Sequence, residues 1–102
     1  MSDEHASALE KLAEVRRAIG SDPPGRRERI RAAYEGLADL SSQLPPRDAG
    51  RLGARVRFHF GKVDSALRGY LFADLATPDD ALAIAAESID WLERILTGEA
   101  GP

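Results

Sequence analysis

Residues 52 to 71 read LGARVRFHFGKVDSALRGYL, and the conformation of this stretch decides the fold of the chain. Its apolar residues recur at helical spacing over about five turns, namely at Leu52, Val56, Phe60, Val63 and Leu67. Within it, residues 55 to 60 alternate polar and apolar side chains, as a half-buried strand would. The helical pattern is the longer one, and the sequence offers no second strand to pair with a lone one. We therefore predict a helix, with an intermolecular two-stranded ribbon as the alternative.

Four helices are predicted from apolar periodicity and from the residues that end each segment. They cover about residues 3–19, 26–43, 48–75 and 78–97. The double prolines at 23–24 and 45–46 mark two connectors, because proline cannot donate a backbone hydrogen bond. Thr77-Pro78-Asp79-Asp80 predicts the start of the last helix, with the Thr77 hydroxyl as its N-cap. Gly36 is the one flaw in the second helix and costs about 1 kcal/mol against Ala.

The predicted fold is an all-α, up-and-down four-helix bundle made of two antiparallel helical hairpins. Short connectors favour antiparallel neighbours, which is why the four helices should pair in this way. The 102 residues form a single helical domain in this interpretation, with residues 98–102 as a frayed tail. A chain of this length buries little more than about 60% of its unfolded surface, so we expect a thin core.

Charge is sorted along the chain, although the formal net charge is only −3. Residues 16 to 68 contain twelve Arg or Lys and six Asp or Glu, whereas residues 69 to 102 contain seven acids and one Arg. One interpretation is internal pairing between the third and fourth helices, with Arg55, Arg57, Lys62 and Arg68 facing Glu87, Asp90 and Glu93. The other is a bipolar surface that recognises an oppositely polarised partner or a second copy of the chain.

The composition also bears on the cellular compartment. The sequence contains no Cys, which excludes disulfides and thiolate sites. Residues 1 to 4 are acidic where a secretory signal would be basic, and no apolar run approaches the roughly 20 residues that a bilayer requires. We expect a cytoplasmic protein that makes no membrane contact.

Small residues on the third helix predict a close approach by another backbone. Gly61, Ser65 and Gly69 are spaced four apart and so share one side of the helix, with Gly53 further along the chain. A neighbouring helix of the same bundle would explain them, and so would a groove or a dimer contact.

Aromatic residues near these small residues indicate a surface left over after the core has packed. Phe58 and Phe72 share the second face of the third helix with residues 61 and 65. Trp91 and Tyr70 border the apolar stripes of their helices, where an aromatic residue is either the rim of a core or an interface anchor. An apolar patch that the fold does not cover favours a partner.

A cluster of arginines at the start of the second helix provides an alternative hypothesis, which is nucleic-acid binding. Cations at a helix N-terminus oppose the helix dipole, so their presence there calls for a reason. The acidic remainder of the chain repels phosphate, and no helix-turn-helix spacing is evident. The residues of this hypothesis are Arg26, Arg27, Arg29 and Arg31.

An enzymatic function is not favoured. His5 and His59 are the only histidines, and neither belongs to a metal-binding or catalytic motif. His59 lies between Phe58 and Phe60, which is typical of a packing or surface histidine. We predict no catalytic residue, no metal and no cofactor.

The sequence therefore predicts a non-enzymatic module that binds another protein or itself, as an adaptor, a chaperone-like factor or a small regulator. A homodimer is expected, because charge sorting and a leftover apolar face both suit self-association. The residues predicted to contact the partner are Arg55, Arg57, Phe58, Phe72 and Trp91.

Overall fold

The computed structural model describes residues 5–73 and 77–98, and this part of the chain contains helices and no strand. The helices are α1 Ala6–Ile19, α2 Pro23–Glu35, α3 Leu37–Gln43, α4 Gly50–Phe72 and α5 Pro78–Thr97. If α2 and α3 are taken as one bent arm, four helical arms pack into a compact bundle, so the predicted all-α four-helix bundle is confirmed.

The stretch that decides the fold is helical throughout, as part of α4. Its buried residues Val56, Val63, Leu67 and Leu71 follow helical spacing, and the first three have no exposed surface. Alternation over residues 55 to 60 is therefore a local coincidence within a longer helical pattern, and the ribbon alternative is wrong.

The second predicted helix, over residues 26–43, differs from the structure because it is divided at Gly36. Gly36 has φ −86° and ψ −1°, and its N–H donates to the Ala33 carbonyl three residues earlier at 3.0 Å. Because glycine has a low helix propensity, the chain tightens into a turn there and starts again as α3. The bend lets Leu37 and Leu40 of α3 enter the core.

The connectors adopt the conformations expected from the Pro, Gly and capping residues in the sequence, with one exception. Gly25 adopts φ +85°, which glycine tolerates best, and regular helix begins after it. Leu44 is extended, with ψ 152°, as expected of a residue that precedes proline. The exception is Thr77, whose hydroxyl does not cap α5; its backbone carbonyl accepts from the Asp80 N–H at 3.0 Å instead.

Helix α4 lies between α5 and the α2–α3 arm, and it runs antiparallel to both. His59 near its middle meets Trp91 late in α5, whereas Gly69 near its end lines a groove with Ala81 early in α5. In the same way, the start of α2 contacts the end of α4, and the end of α3 contacts its first half. Helix α1 packs against α2, α3 and α5 and closes the bundle. The largest fully buried side chains are Leu12, Ile30, Leu40, Val56, Val63, Leu67, Ile89 and Leu92.

Gly53 is the point at which α4 passes closest to the preceding connector. A Cβ placed on it would lie 1.9 Å from the Pro46 carbonyl oxygen, so no larger residue fits without movement of the backbone. The periodicity placed the neighbouring Leu52 on the buried stripe, but it is 42% exposed. Gly61, by contrast, has no atom within 4 Å of such a Cβ, so packing within the chain does not require glycine there.

The two glycines of α4 provide a matched pair of substitutions. We expect Gly53→Ala to destabilise the fold by roughly 2 kcal/mol, because the new methyl group collides with the Pro46 carbonyl. Gly61→Ala should stabilise the single folded chain by about 0.5 to 1 kcal/mol through helix propensity, because no atom of the same chain lies within 4 Å of the new methyl group. Urea unfolding followed by circular dichroism measures both changes, and equal effects of the two substitutions would contradict the close approach at Gly53.

Candidate interaction surface on α4 and α5

Two of the predicted contact residues, Phe58 and Trp91, are brought together by the histidine between them. The His59 ring stacks on Trp91, with a centroid distance of 5.7 Å and an interplanar angle of 12°. On its other side the Phe58 ring meets His59 edge to face at 5.1 Å. Phe58 remains 59% exposed and Trp91 36% exposed, so this row of three rings lies at the surface. It joins α4 to α5 and fixes their relative height.

Cations cover the two outer rings of this row. The Lys62 ammonium lies 5.1 Å from the centroid of Phe58, and the Arg94 guanidinium lies 5.5 Å from the centroid of Trp91. Contacts of this kind contribute on the order of 0.5 to 1 kcal/mol at exposed sites. They also place both positive charges directly beside exposed aromatic surface.

An apolar groove continues from Lys62 along the joint between the two helices. Its floor consists of small residues, and its edge includes Ile84 of α5, which is 47% exposed. Ile84 is an apolar residue of α5 that the structure leaves outside the core. The signal that could have identified it is its spacing, since it lies seven residues before Trp91 and three before the exposed Glu87. The groove is lined by Lys62, Ser65, Ala66, Gly69, Ala81 and Ile84.

Phe72 lies on the same side of α4 as Phe58 but is not part of the row of rings. It is fourteen residues further on, which is about 21 Å along the helix axis. Its ring packs edge to face on Tyr34 of α2 at 5.8 Å and is still 61% exposed. Phe72 therefore marks the far end of the face that begins at Phe58. We call this whole side of the molecule, from residues 55 to 72 of α4 and 80 to 94 of α5, the α4–α5 face.

Arg57, a third predicted contact residue, is engaged within the chain. Its guanidinium donates to the carbonyls of Pro45, Ser41 and Leu44 at 2.9 to 3.0 Å and to the Ser41 hydroxyl at 2.7 Å. The carbonyls at the end of a helix have no partner within that helix. Arg57 thus caps the end of α3 and the connector after it, and we leave it out of the contact surface.

Arg27 has the corresponding role at the other end of α4. It donates to the Tyr70 carbonyl at 3.2 Å and to the Leu71 carbonyl, both in the last turn of α4, and it lies 5.8 Å from the centroid of the Tyr70 ring. Arg26 bonds to the Ser21 carbonyl at 2.9 Å and approaches Asp79 at 4.0 Å. Of the four arginines in the nucleic-acid hypothesis, only Arg26 is partly buried, and Arg27, Arg29 and Arg31 are exposed. Arg26 and Arg27 tie α2 to neighbouring segments.

Among the described residues, several of the charges expected to pair between α4 and α5 have other partners. Asp90 and Glu93 both accept from Arg16 of α1 at 2.5 Å, a contact that was not predicted. Arg68 pairs with Asp64 one turn earlier on α4 and reaches the Tyr34 hydroxyl. The acids on one side of α5 therefore hold α1 in place, and α4 is joined to α5 by apolar packing and the row of rings.

His59 is held as a neutral side chain by its surroundings. Burial lowers the pKa of His59, and the nearby positive charges of Lys62 and Arg55 lower it further, while Glu87 acts in the opposite direction. Its Nδ1 atom is buried and has no hydrogen-bond partner among the described residues. A proton on His59 is therefore disfavoured in the folded protein.

Arg57→Lys tests the capping role of the guanidinium. The variant keeps the positive charge but cannot reach four acceptors, so we expect the fold to lose about 1 to 2 kcal/mol. Arg51→Lys, at an exposed position on the same helix, is the matched control and should change stability by less than about 0.5 kcal/mol. Urea unfolding measures the stability of both variants. Equal stability of the two would contradict the capping role of Arg57.

The lowered pKa of His59 predicts a pH dependence of stability. The unfolded chain takes up the proton near pH 6.5, whereas the folded protein resists it to lower pH, so stability is complete above about 6.5 and falls as the pH drops below it. Replacing His59 with Gln removes this component. We expect the urea midpoint of the wild type to fall more between about pH 7.5 and 5.5 than that of His59→Gln. Lys62→Gln should reduce the fall in part, and identical profiles for all three proteins would contradict the assignment.

The part of the chain that the structure describes lacks the features of two other kinds of site. No group of three or more His, Cys, Asp or Glu side chains comes close enough there to hold a metal ion. None of its helices combines the length and the apolar character needed to span a membrane. No protein-family model, curated protein or solved structure matches the chain.

Proposed function

We propose that this chain is a non-enzymatic protein-interaction module that binds another protein, or itself, through the α4–α5 face. The observation that carries the proposal is the exposed row Phe58, His59 and Trp91, continued by Lys62 and Ile84 along one groove. Phe58, Phe72, Ile84 and Trp91 are four of the five large apolar side chains found exposed in the described residues. Single exposed apolar residues are common on protein surfaces, whereas four on one side of a small protein favour an interface.

The composition of the face is that of an interface core with a charged border. Phe, Trp and Arg are enriched where proteins bind one another, and a Trp that is half covered in the free protein loses little freedom on binding. Lys62 and Arg94 already lie over rings, so their positions are partly determined before a partner arrives. Such a surface suits an adaptor, a chaperone-like factor or a small regulator in the cytoplasm.

The nucleic-acid alternative receives less support from the geometry. Arg27 donates to two backbone carbonyls and Arg26 donates to a third, so both side chains are already hydrogen-bonded within the chain. Arg29 and Arg31 are left for phosphate, and two cations make a weak electrostatic site on a chain with net charge −3. A labelled duplex and a labelled single strand at low salt test this alternative directly, and binding that weakens steeply with added salt would revive it.

Charged substitutions on the face test the proposed function. The tagged wild type should capture a defined protein after cross-linking, and Phe58→Glu and Trp91→Glu should each lose it, because a buried unpaired carboxylate disrupts the contact. Leu52→Glu is the control, since Leu52 is also an exposed apolar residue of α4 but lies outside the face. Quantitative mass spectrometry of the captured proteins and far-UV circular dichroism of each variant provide the readouts.

Two outcomes would contradict the proposal. If Leu52→Glu abolishes capture as completely as the face variants do, the α4–α5 face has no special role. If Phe58→Glu and Trp91→Glu lose helicity together with capture, the two aromatic residues belong to the core. Capture of protein by the wild type alone identifies a candidate partner and does not count in favour of the face.

A further inference from the structure

The charges on the α4–α5 face are arranged from one end to the other. Arg94 lies at the end that carries Phe58 and Trp91, together with the half-exposed Arg55. Asp80 lies at the opposite end, where α5 begins beside the groove. Along α5, the face is therefore basic at one end and acidic at the other.

On α5 the two charged residues at the ends of the face, Asp80 and Arg94, lie at equal distances from Glu87. Asp80 lies seven residues before Glu87 and Arg94 seven residues after it, and seven residues are two turns, or about 10.5 Å. All three side chains are exposed and share one side of the helix. A two-fold axis that crosses α5 at the level of Glu87 would therefore bring Arg94 of each copy to Asp80 of the other.

We propose that the α4–α5 face binds a second copy of this chain, with the two copies antiparallel and related by a two-fold axis near Glu87. This inference rests on the same surface as the proposed function and commits it to one partner. Trp91 and Ile84 lie four and three residues from Glu87 on its two sides, so the Trp91 of each copy reaches the Ile84 of the other. The apolar residues and the charges of Asp80 and Arg94 thus become complementary under a single operation, as an isologous interface requires. The Glu87 side chains of the two copies meet near the axis, where the Lys62 of each copy lies at the same height and offsets their repulsion.

The centre of the face allows the two backbones to approach each other. Lys62 lies one turn from His59 and Glu87 one turn from Trp91, so the His59–Trp91 stack places these opposite charges at the same height. Gly61 and Ser65 are exposed beside them, and a Cβ on Gly61 would meet nothing within 4 Å. A glycine that costs helix propensity and that the fold does not need is explained if a copy packs against it.

The size of the face and its polarity both favour a second copy. The molecule measures 39 × 22 × 22 Å, so a face that spans α4 and α5 is large enough for the roughly 800 Å² that each partner buries in a standard interface. An acidic helix from another protein would suit Lys62 and Arg94 but would place like charge against Asp80. A parallel arrangement of two copies would bring Arg94 to Arg94 and Asp80 to Asp80, which disfavours it.

Charge exchange provides the test. The untagged wild type at about 100 μM should have the mass of a dimer by light scattering after size exclusion. Arg94→Glu and Asp80→Arg should each weaken the dimer on the order of tenfold, because each creates two like-charge contacts. The double variant carrying both changes should recover the wild-type dissociation constant, and so should an equimolar mixture of the two single variants.

The absence of cysteine from the sequence allows an independent measurement that does not depend on charge. Glu87→Cys, next to the proposed axis, should form an intermolecular disulfide rapidly under mild oxidation. Arg31→Cys, at an exposed position on α2, should form it slowly and serves as the control. Circular dichroism verifies that every variant is folded.

Three results would overturn this inference. They are a monomeric wild type, a dimer that Arg94→Glu and Asp80→Arg leave unchanged, and a double variant that stays dissociated while folded. The proposed function fails separately, since a monomeric wild type that still captures another protein through Phe58 and Trp91 keeps the interaction module and loses only the second copy.

Discussion

The burial of one stripe of α4 is the constraint on which the other features depend. Val56, Val63 and Leu67 have no exposed surface, and each fully buried aliphatic side chain contributes on the order of 1.5 to 3 kcal/mol. Once these residues face α5 and the α2–α3 arm, the rotation of α4 about its axis is determined. Phe58 and Phe72 must then lie on the outside, because each is about 160° around the helix from the mean direction of these three residues. The exposed face is thus a consequence of the core.

Arginine side chains hold the ends of the helices within this arrangement. Arg27 binds the carbonyls at the end of α4, Arg57 binds those at the end of α3, and Arg16 joins α1 to two acids of α5. A planar guanidinium with several donors suits carbonyls that diverge from a helix end, which lysine cannot match. Much of the basic middle of the sequence is therefore used by the fold, and fewer cations remain for a partner than the composition suggests.

The helices could be predicted from the sequence because periodicity and punctuation are local. Pro, Gly and apolar spacing identified each arm. In residues 52 to 71 the helical pattern is longer than the strand-like segment, so it predicted the conformation correctly. Gly36 was recognised as a weak point, but the division of the helix there was not predicted. A glycine costs a helix about 1 kcal/mol, which does not by itself break it. The partners of Arg16, Arg27 and Arg57 could not be predicted, since these bonds join residues at least twelve positions apart and depend on how the arms pack. Phe58 and Trp91 were predicted as a pair of contact residues, but the stack that joins them through His59 was not.

Charge sorted along a sequence differs from charge sorted in space, and the difference explains why Asp90 and Glu93, expected to face α4, pair with Arg16 of α1 in the part of the chain that the structure describes. Antiparallel helices place the beginning of one beside the end of the other. Which charges lie beside one another therefore depends on their order along each helix. On α5, the acids Asp90 and Glu93 turn towards α1, and the side that remains exposed runs from Asp80 to Arg94. A helix that is acidic at its start and basic at its end also agrees with its own dipole. The polarity that stabilises α5 within one chain is the same polarity that makes its outer side complementary to an antiparallel copy.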